Sequence, residues 1–238
     1  MILQIDHIAI SSDDFERDLE FMESVGYNLE FVERNIENLK MKKALMNNFS
    51  ETQSLALFRK ENSLGIEILH HGTLTHNKSY IRPIFEGILP EIEKKYNAEK
   101  IGYISRESDS NFKFDKLAIK TCSLKQSKDF WEYFGFKQIQ NKPIILEFNS
   151  ILSGSSCQVY LKKTNSCSSH FLDDRGFSVI AFITNSIKRE WNTLKSKEIK
   201  VTDIECLTLN NKNLEIFFAL GPSGELVEVV GLEMGKGT

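Results

Sequence analysis

Two carboxylates and one imidazole stand where polar groups are least expected. Glu67 lies between Ile66 and Ile68, and Glu228 lies between Val227 and Val229, so each interrupts an otherwise apolar strand. A carboxylate buried in a sheet needs a partner or a metal, because an unpaired buried charge is costly. His7 stands in the run IDHIAI. Side chains alternate along a strand, so it shares a face with Ile5 and Ala9, while Asp6, Ile8 and Ile10 take the other. If Ile8 and Ile10 pack on the following helix, His7 looks out of the opposite side of the sheet. An imidazole placed there is either a hydrogen-bonded core residue or a metal ligand.

The element that must position His7 is a strand, a turn and a helix over residues 5–26. Ser11, Ser12, Asp13 and Asp14 offer N-cap oxygens, Phe15, Leu19 and Met22 follow at helical spacing, and Gly26 ends the helix. The same pattern returns at 114–136, where DHIAI becomes DKLAI and FMESVGY becomes FWEYFGF. A looser copy occupies 177–199, with VIAF in its strand. Three copies imply a modular fold.

After the first helix the chain reads as strands over 27–33, 52–59 and 65–71, with 35–51 showing no clear pattern. Glu67 falls in the last of these. The second copy continues with strands at 137–140, 143–148 and 157–162. The third continues with strands at 200–208, 214–220 and 225–230, the last two joined by the turn GPSG at 221–224. Each copy is thus strand, helix, strand, strand, strand. The organisation expected is a first module over 1–73, a connector over 74–112, and paired second and third modules over 113–238 (113–164 and 176–232). Within the connector, 81–96 has helical spacing despite Pro83 and Pro90, 100–105 reads as an added strand, and the stretch after it reads as a linker.

Composition narrows the classes. With 238 residues the chain can hold one large or two small domains, and a net charge of -3 leaves no electrostatic footprint for nucleic acid. No charged-then-apolar leader opens the sequence and no apolar run reaches the ~20 residues of a membrane span, so a cytoplasmic protein is expected. Cys122, Cys157, Cys167 and Cys206 lack CxxC spacing and are read as reduced thiols. GxGxxG, GxxxxGK[ST] and GxSxG are all missing, which removes support for dinucleotide, nucleotide and esterase chemistry.

The HIAI strand, the helix ending in SVGY, the IEIL strand and the carboxy-terminal FFALGPSGELVEVV resemble the vicinal oxygen chelate superfamily of glyoxalases, bleomycin-resistance proteins and extradiol dioxygenases. The resemblance touches most of the chain except 74–112. It implies an α+β, glyoxalase-like fold in which βαβββ modules form half-open curved sheets, whose concave side often carries a divalent metal held by first-strand histidines and fourth-strand carboxylates. Transferred by position, the first-strand slots are His7, Lys116 and Val179, and the fourth-strand slots are Glu67, Gln158 and Glu228. A lysine ammonium donates without accepting and valine offers nothing, so a bowl built from the second and third modules should be metal-free. His7 and Glu67 are then half of a divalent metal site, completed by a second subunit in a homodimer or by the connector.

Two function classes follow from the resemblance. One is a metal-dependent isomerase, epimerase or lyase acting on a small oxygenated substrate, with metal at His7 and Glu67 and with Glu67 and Glu228 as catalytic carboxylates. Extradiol cleavage is disfavoured, since it usually wants two histidines. The other is a non-catalytic binding protein that holds a small molecule at Lys116 and Gln158 without metal. The blander alternatives are a His7–Glu67 hydrogen bond and a structural Lys116–Glu228 ion pair. His70 and His71 are expected near solvent at a strand end, His76 has little to recommend it, and His170, Asp173 and Asp174 are expected in a solvated loop. Phe130, Trp131 and Phe134, at helical spacing, are expected in the core.

Overall fold

The computed structural model describes residues 1–78, 80–84, 114–152, 154–166 and 170–232. The first module comprises β1 (Ile2–Ser11), α1 (Phe15–Ser24), β2 (Asn28–Glu37), β3 (Thr52–Arg59) and β4 (Gly65–His70). Asp14 caps α1 by accepting from the Arg17 amide, and Gly26 ends it at φ 82°, where a side chain would be strained. Two short strands, β5 (Thr75–Lys78) and β6 (Ile81–Ile84), follow. The second module is β7 (Lys116–Thr121), α2 (Leu124–Tyr133), β8 (Lys137–Asn141), β9 (Ile144–Asn149) and β10 (Ser156–Lys163). The third is β11 (Asp174–Thr184), α3 (Ile187–Ser196), β12 (Lys200–Val201), β13 (Glu205–Leu209), β14 (Lys212–Leu220) and β15 (Leu226–Leu232). The stretch expected as one strand over 200–208 is two pieces, each paired with β14.

The modules form two curved, open sheets, but their pairing differs from the sequence expectation. β1 runs antiparallel to β11, so the first and third modules share one large sheet ordered β12-β14-β15-β11-β1-β4-β3-β2. The second module makes a separate five-stranded sheet ordered β6-β7-β10-β9-β8. Apolar strands β1 and β11 bury each other's free edge, whereas the edge of β7 is taken by β6. That use of 81–84 replaces the helix expected there, and Pro83 is tolerated because β6 is an edge strand. The rest of that expected helix, the expected strand at 100–105 and the linker lie outside the described residues.

Two cores lie on opposite faces of the large sheet. On the helix side Ile8, Ile10, Ile66, Ile68, Ile180 and Phe182 pack with Trp131, Phe134, Phe136 and Phe148 of the second module. Phe182 is the hinge of that contact, stacked on Phe134 at 5.2 Å between ring centroids and edge-on to Phe148 at 5.8 Å. The expected aromatic core of α2 is there, with Phe130, Trp131 and Phe134 all buried. On the concave side Ala9, Leu55, Leu69, Val179, Ile216 and Phe218 are covered by Leu39, Met41, Leu45, Met46 and Leu172. Most of the cover comes from the 3-10 turn Lys40–Leu45 and its two flanking residues, within the stretch 35–51 that showed no pattern, and Leu172 adds to it from the segment before β11.

Asp173 and Asp174 fasten this cover rather than sitting in a solvated loop. Asp173 accepts from the amides of Asn47 and Asn48 at 3.0 and 2.8 Å, and Asp174 from Thr75 Oγ1 at 2.5 Å. His170 stacks on Tyr80 at 4.5 Å. Cys122 is disulfide-bonded, which corrects the expectation of a reduced thiol there, while Cys157 and Cys206 form no disulfide among the described residues. Spacing along the chain carries no information about which thiols meet in space. No helix among the described residues is long and apolar enough to cross a membrane.

Candidate metal centre

The pairing of β1 with β11 brings together three of the residues singled out from sequence. Glu67 on β4 and Glu228 on β15 flank β1 and β11, with Ala9 beside Glu67 and Ala181 beside Glu228 in the ladders. His7 stands opposite Ala181 across the centre of the sheet. Its Nε2 lies 3.3 Å from Glu67 Oε2 and 3.7 Å from Glu228 Oε2, and all three residues are buried. The mate of the first module is therefore the third module of the same chain, and the second carboxylate comes from within the molecule. The slot related to His7 is Val179, which lies buried on the same concave face and offers no ligand.

A β-bulge sets the imidazole. In a regular strand Asp6 and His7 would point to opposite faces, as the alternation suggests. The register between β1 and β11 slips between Ile5 and His7, and the two side chains meet. Nδ1–H of His7 donates to Asp6 Oδ2 at 2.8 Å, which turns Nε2 toward the two carboxylates. Nε2 is buried and has no partner of hydrogen-bonding geometry among the described residues.

Asp6 is itself held by Arg59, whose Nη2 donates to Oδ1 at 2.8 Å and whose Nη1 donates to the Asp6 carbonyl. Gly65 permits that reach, since a Cβ there would overlap both Arg59 Nη1 and the Asp6 carbonyl oxygen. Burial alone would raise the Asp6 carboxyl, but the hydrogen bond and charge of His7, followed by Arg59, outweigh it and hold it at about 2. For His7 burial opposes the imidazolium, yet the charge of Glu67, the hydrogen bond to Asp6 and the approach of the Glu228 and Glu67 carboxylates lift it well above the ordinary histidine range. The centre is therefore strongly cation-seeking.

Lys42, Gln53 and His71 also stand on this face. Lys42, from the 3-10 turn, is buried, donates to Gln53 Oε1 at 2.9 Å and lies 5.9 Å from the centroid of the Phe218 ring. Burial lowers its pKa against the pull of Glu228 and Glu67. His71 is buried at 1% exposure, not at a solvated strand end as expected, because alternation along β4 returns it to the face of Glu67. Burial first, then the charges of Lys42 and His70, keep it neutral, well below its ordinary range. The one available hint was a lysine inside the apolar run around Met41, Ala44, Leu45 and Met46.

Lys116 and Gln158 lie elsewhere, side by side in the register of β7 and β10 in the smaller sheet. The Gln158 amide donates to Glu147 Oε1 at 3.1 Å and accepts from Tyr160 at 3.2 Å. His70 faces away from the centre and bonds the Ser12 carbonyl at 3.0 Å. The side chain of His76 is outside the described residues.

The donor set fits a divalent ion. One imidazole nitrogen and two carboxylate oxygens all lie within 4.8 Å of one another. Imidazole and carboxylate suit Zn, Fe or Mn, and the carboxylate behind His7 is the usual outer partner of a ligating histidine.

No family model and no curated protein matches the sequence. Among solved structures the chain is similar to glyoxalase I from Zea mays, with a TM-score of 0.56 at 14% identity over 96% of this chain and 92% of that one. A point mutant of the same enzyme gives a TM-score of 0.54 at 15% identity over 96% and 93%. At such identity the likeness concerns the fold.

Proposed function

The chain has the vicinal oxygen chelate fold, and from that premise we propose that its concave face is the active site of a metal-dependent isomerase, epimerase or lyase. The substrate is a small oxygenated molecule, and His7, Glu67 and Glu228 would hold the divalent ion. The observation that carries this reading is the buried, unpartnered Nε2 of His7 aimed at two carboxylates, with its other nitrogen fixed by Asp6. When bound, such an ion supplies Lewis-acid polarisation of a substrate oxygen.

The remaining work falls to the chain itself. Asp6, backed by Arg59, keeps the proton of His7 on Nδ1. Val179 supplies no ligand on the β11 side of the centre, and Glu228 stands on the neighbouring strand β15. Glu228 Oε2, the farther of the two carboxylate oxygens from His7, is our assignment for the group that takes a proton from a substrate carbon and returns it. Glu67 stays close to the imidazole. The cover formed by Leu39, Met41, Leu45 and Met46 excludes water from the face on which this happens.

Elemental analysis after gel filtration tests the centre. One equivalent of divalent metal per chain is expected, with its loss in His7→Ala. A wild-type protein that neither carries metal nor takes up added Mn²⁺ would falsify the reading.

A further inference from the structure

We propose that Lys42, Gln53 and His71 form a pocket for a carboxylate of the substrate, beside the proposed metal centre. This inference rests on the function proposed above and names its substrate class: a small oxygenated acid rather than a neutral carbonyl compound.

The first argument is an excess of donors. An ammonium offers three N–H groups, and Lys42 places one on Gln53 Oε1. Gln53 Nε2 and both ring nitrogens of His71 are buried without a hydrogen-bond partner among the described residues. Gln53 and His71 expose only 2% and 1% of their surface. Buried polar groups are nearly always partnered, so several unpartnered ones around one cation mark a place shaped for something else. Lysine, amide and neutral imidazole can all donate, and the partner that uses such a set is an anion with several lone pairs. A carboxylate has about four acceptor sites.

The second argument is charge. The acids that act on Lys42 are Glu228 and Glu67, the two carboxylates of the centre. A divalent ion balances both of them. Asp6 is matched by Arg59. Lys42 is then the cation left over, with Phe218 as its aromatic neighbour and no carboxylate in direct ion-pair contact among the described residues. A monoanionic substrate neutralises it in a water-poor site, where such pairing is stronger than at a surface.

The third argument is position. Gln53 on β3 and His71 after β4 lie on the concave face with Glu67, while Lys42 reaches down from the 3-10 turn that covers it. One molecule can therefore meet the metal centre with an oxygen and the donor cluster with its carboxylate.

Calorimetric titration of the Mn²⁺-loaded protein with pyruvate and levulinate, each against its neutral amide, tests this. At least one acid should bind about tenfold or more tightly than its amide, as expected for a charge-assisted contact. Lys42→Met should erase that preference while Mn²⁺ binding persists. Equal affinity for acid and amide, no binding of either acid, or a preference that survives Lys42→Met would each overturn the proposal. The acid–amide comparison needs only wild-type protein, so a variant that does not fold cannot shield it. Mn²⁺ uptake is read separately, which distinguishes failure of the pocket from failure of the metal centre.

Discussion

Replacing His71 by leucine should remove a specific source of acid sensitivity. The ring is neutral in the folded protein because burial and the nearby Lys42 charge oppose protonation. In the unfolded chain it titrates near 6.5, so below that pH the unfolded state binds a proton that the folded state refuses. Such a group contributes stability that is present above the unfolded pKa and lost as pH falls. The loss approaches about 1.4 kcal/mol per pH unit for as long as the folded ring stays neutral. Going from pH 6 to pH 5 should therefore cost the wild type about 1 kcal/mol that His71→Leu does not lose. His7 acts in another window. Its folded pKa is raised, so its contribution is complete below 6.5 and declines only as pH rises toward the raised value. Urea unfolding of both proteins at intervals from pH 8 to pH 5 gives the comparison, since subtracting the curves cancels His7 and every other common group. The stability gap should widen in favour of the variant as pH falls. A gap that stays constant across this range refutes the argument that His71 is held neutral.

Two other substitutions probe the scaffold of the centre and of the fold. Asp6→Asn replaces the charged acceptor behind His7 and loosens Arg59, and metal affinity should fall by about 10- to 100-fold; an unchanged affinity by Mn²⁺ titration would mean that the bulge contact does not position the ring. Phe182→Ala removes the ring that joins the large sheet to Phe134, Phe136 and Phe148, and should cost about 3–5 kcal/mol by denaturant unfolding; a loss under ~1 kcal/mol would show that the aromatic junction does not hold the second module in place.

The modular plan was readable because strand alternation and helical spacing are local properties, repeated in the residues around HIAI, LAIK and VIAF. Local patterning also placed Glu67 and Glu228 in apolar strands and His7 on the face opposite the helix, since each depends only on neighbours in the chain. How the modules join did not follow, because edge pairing is decided by which free edges and apolar faces meet in three dimensions. Only that meeting of β1 with β11 puts Glu228 within 3.7 Å of His7. The contact between Asp6 and His7 contradicts simple alternation and arises from a bulge, which is an irregularity of the ladder rather than of composition. Lys42, Gln53 and the burial of His71 stayed hidden for a related reason: alternation gives the face on which a strand residue lies, but not whether another segment covers that face.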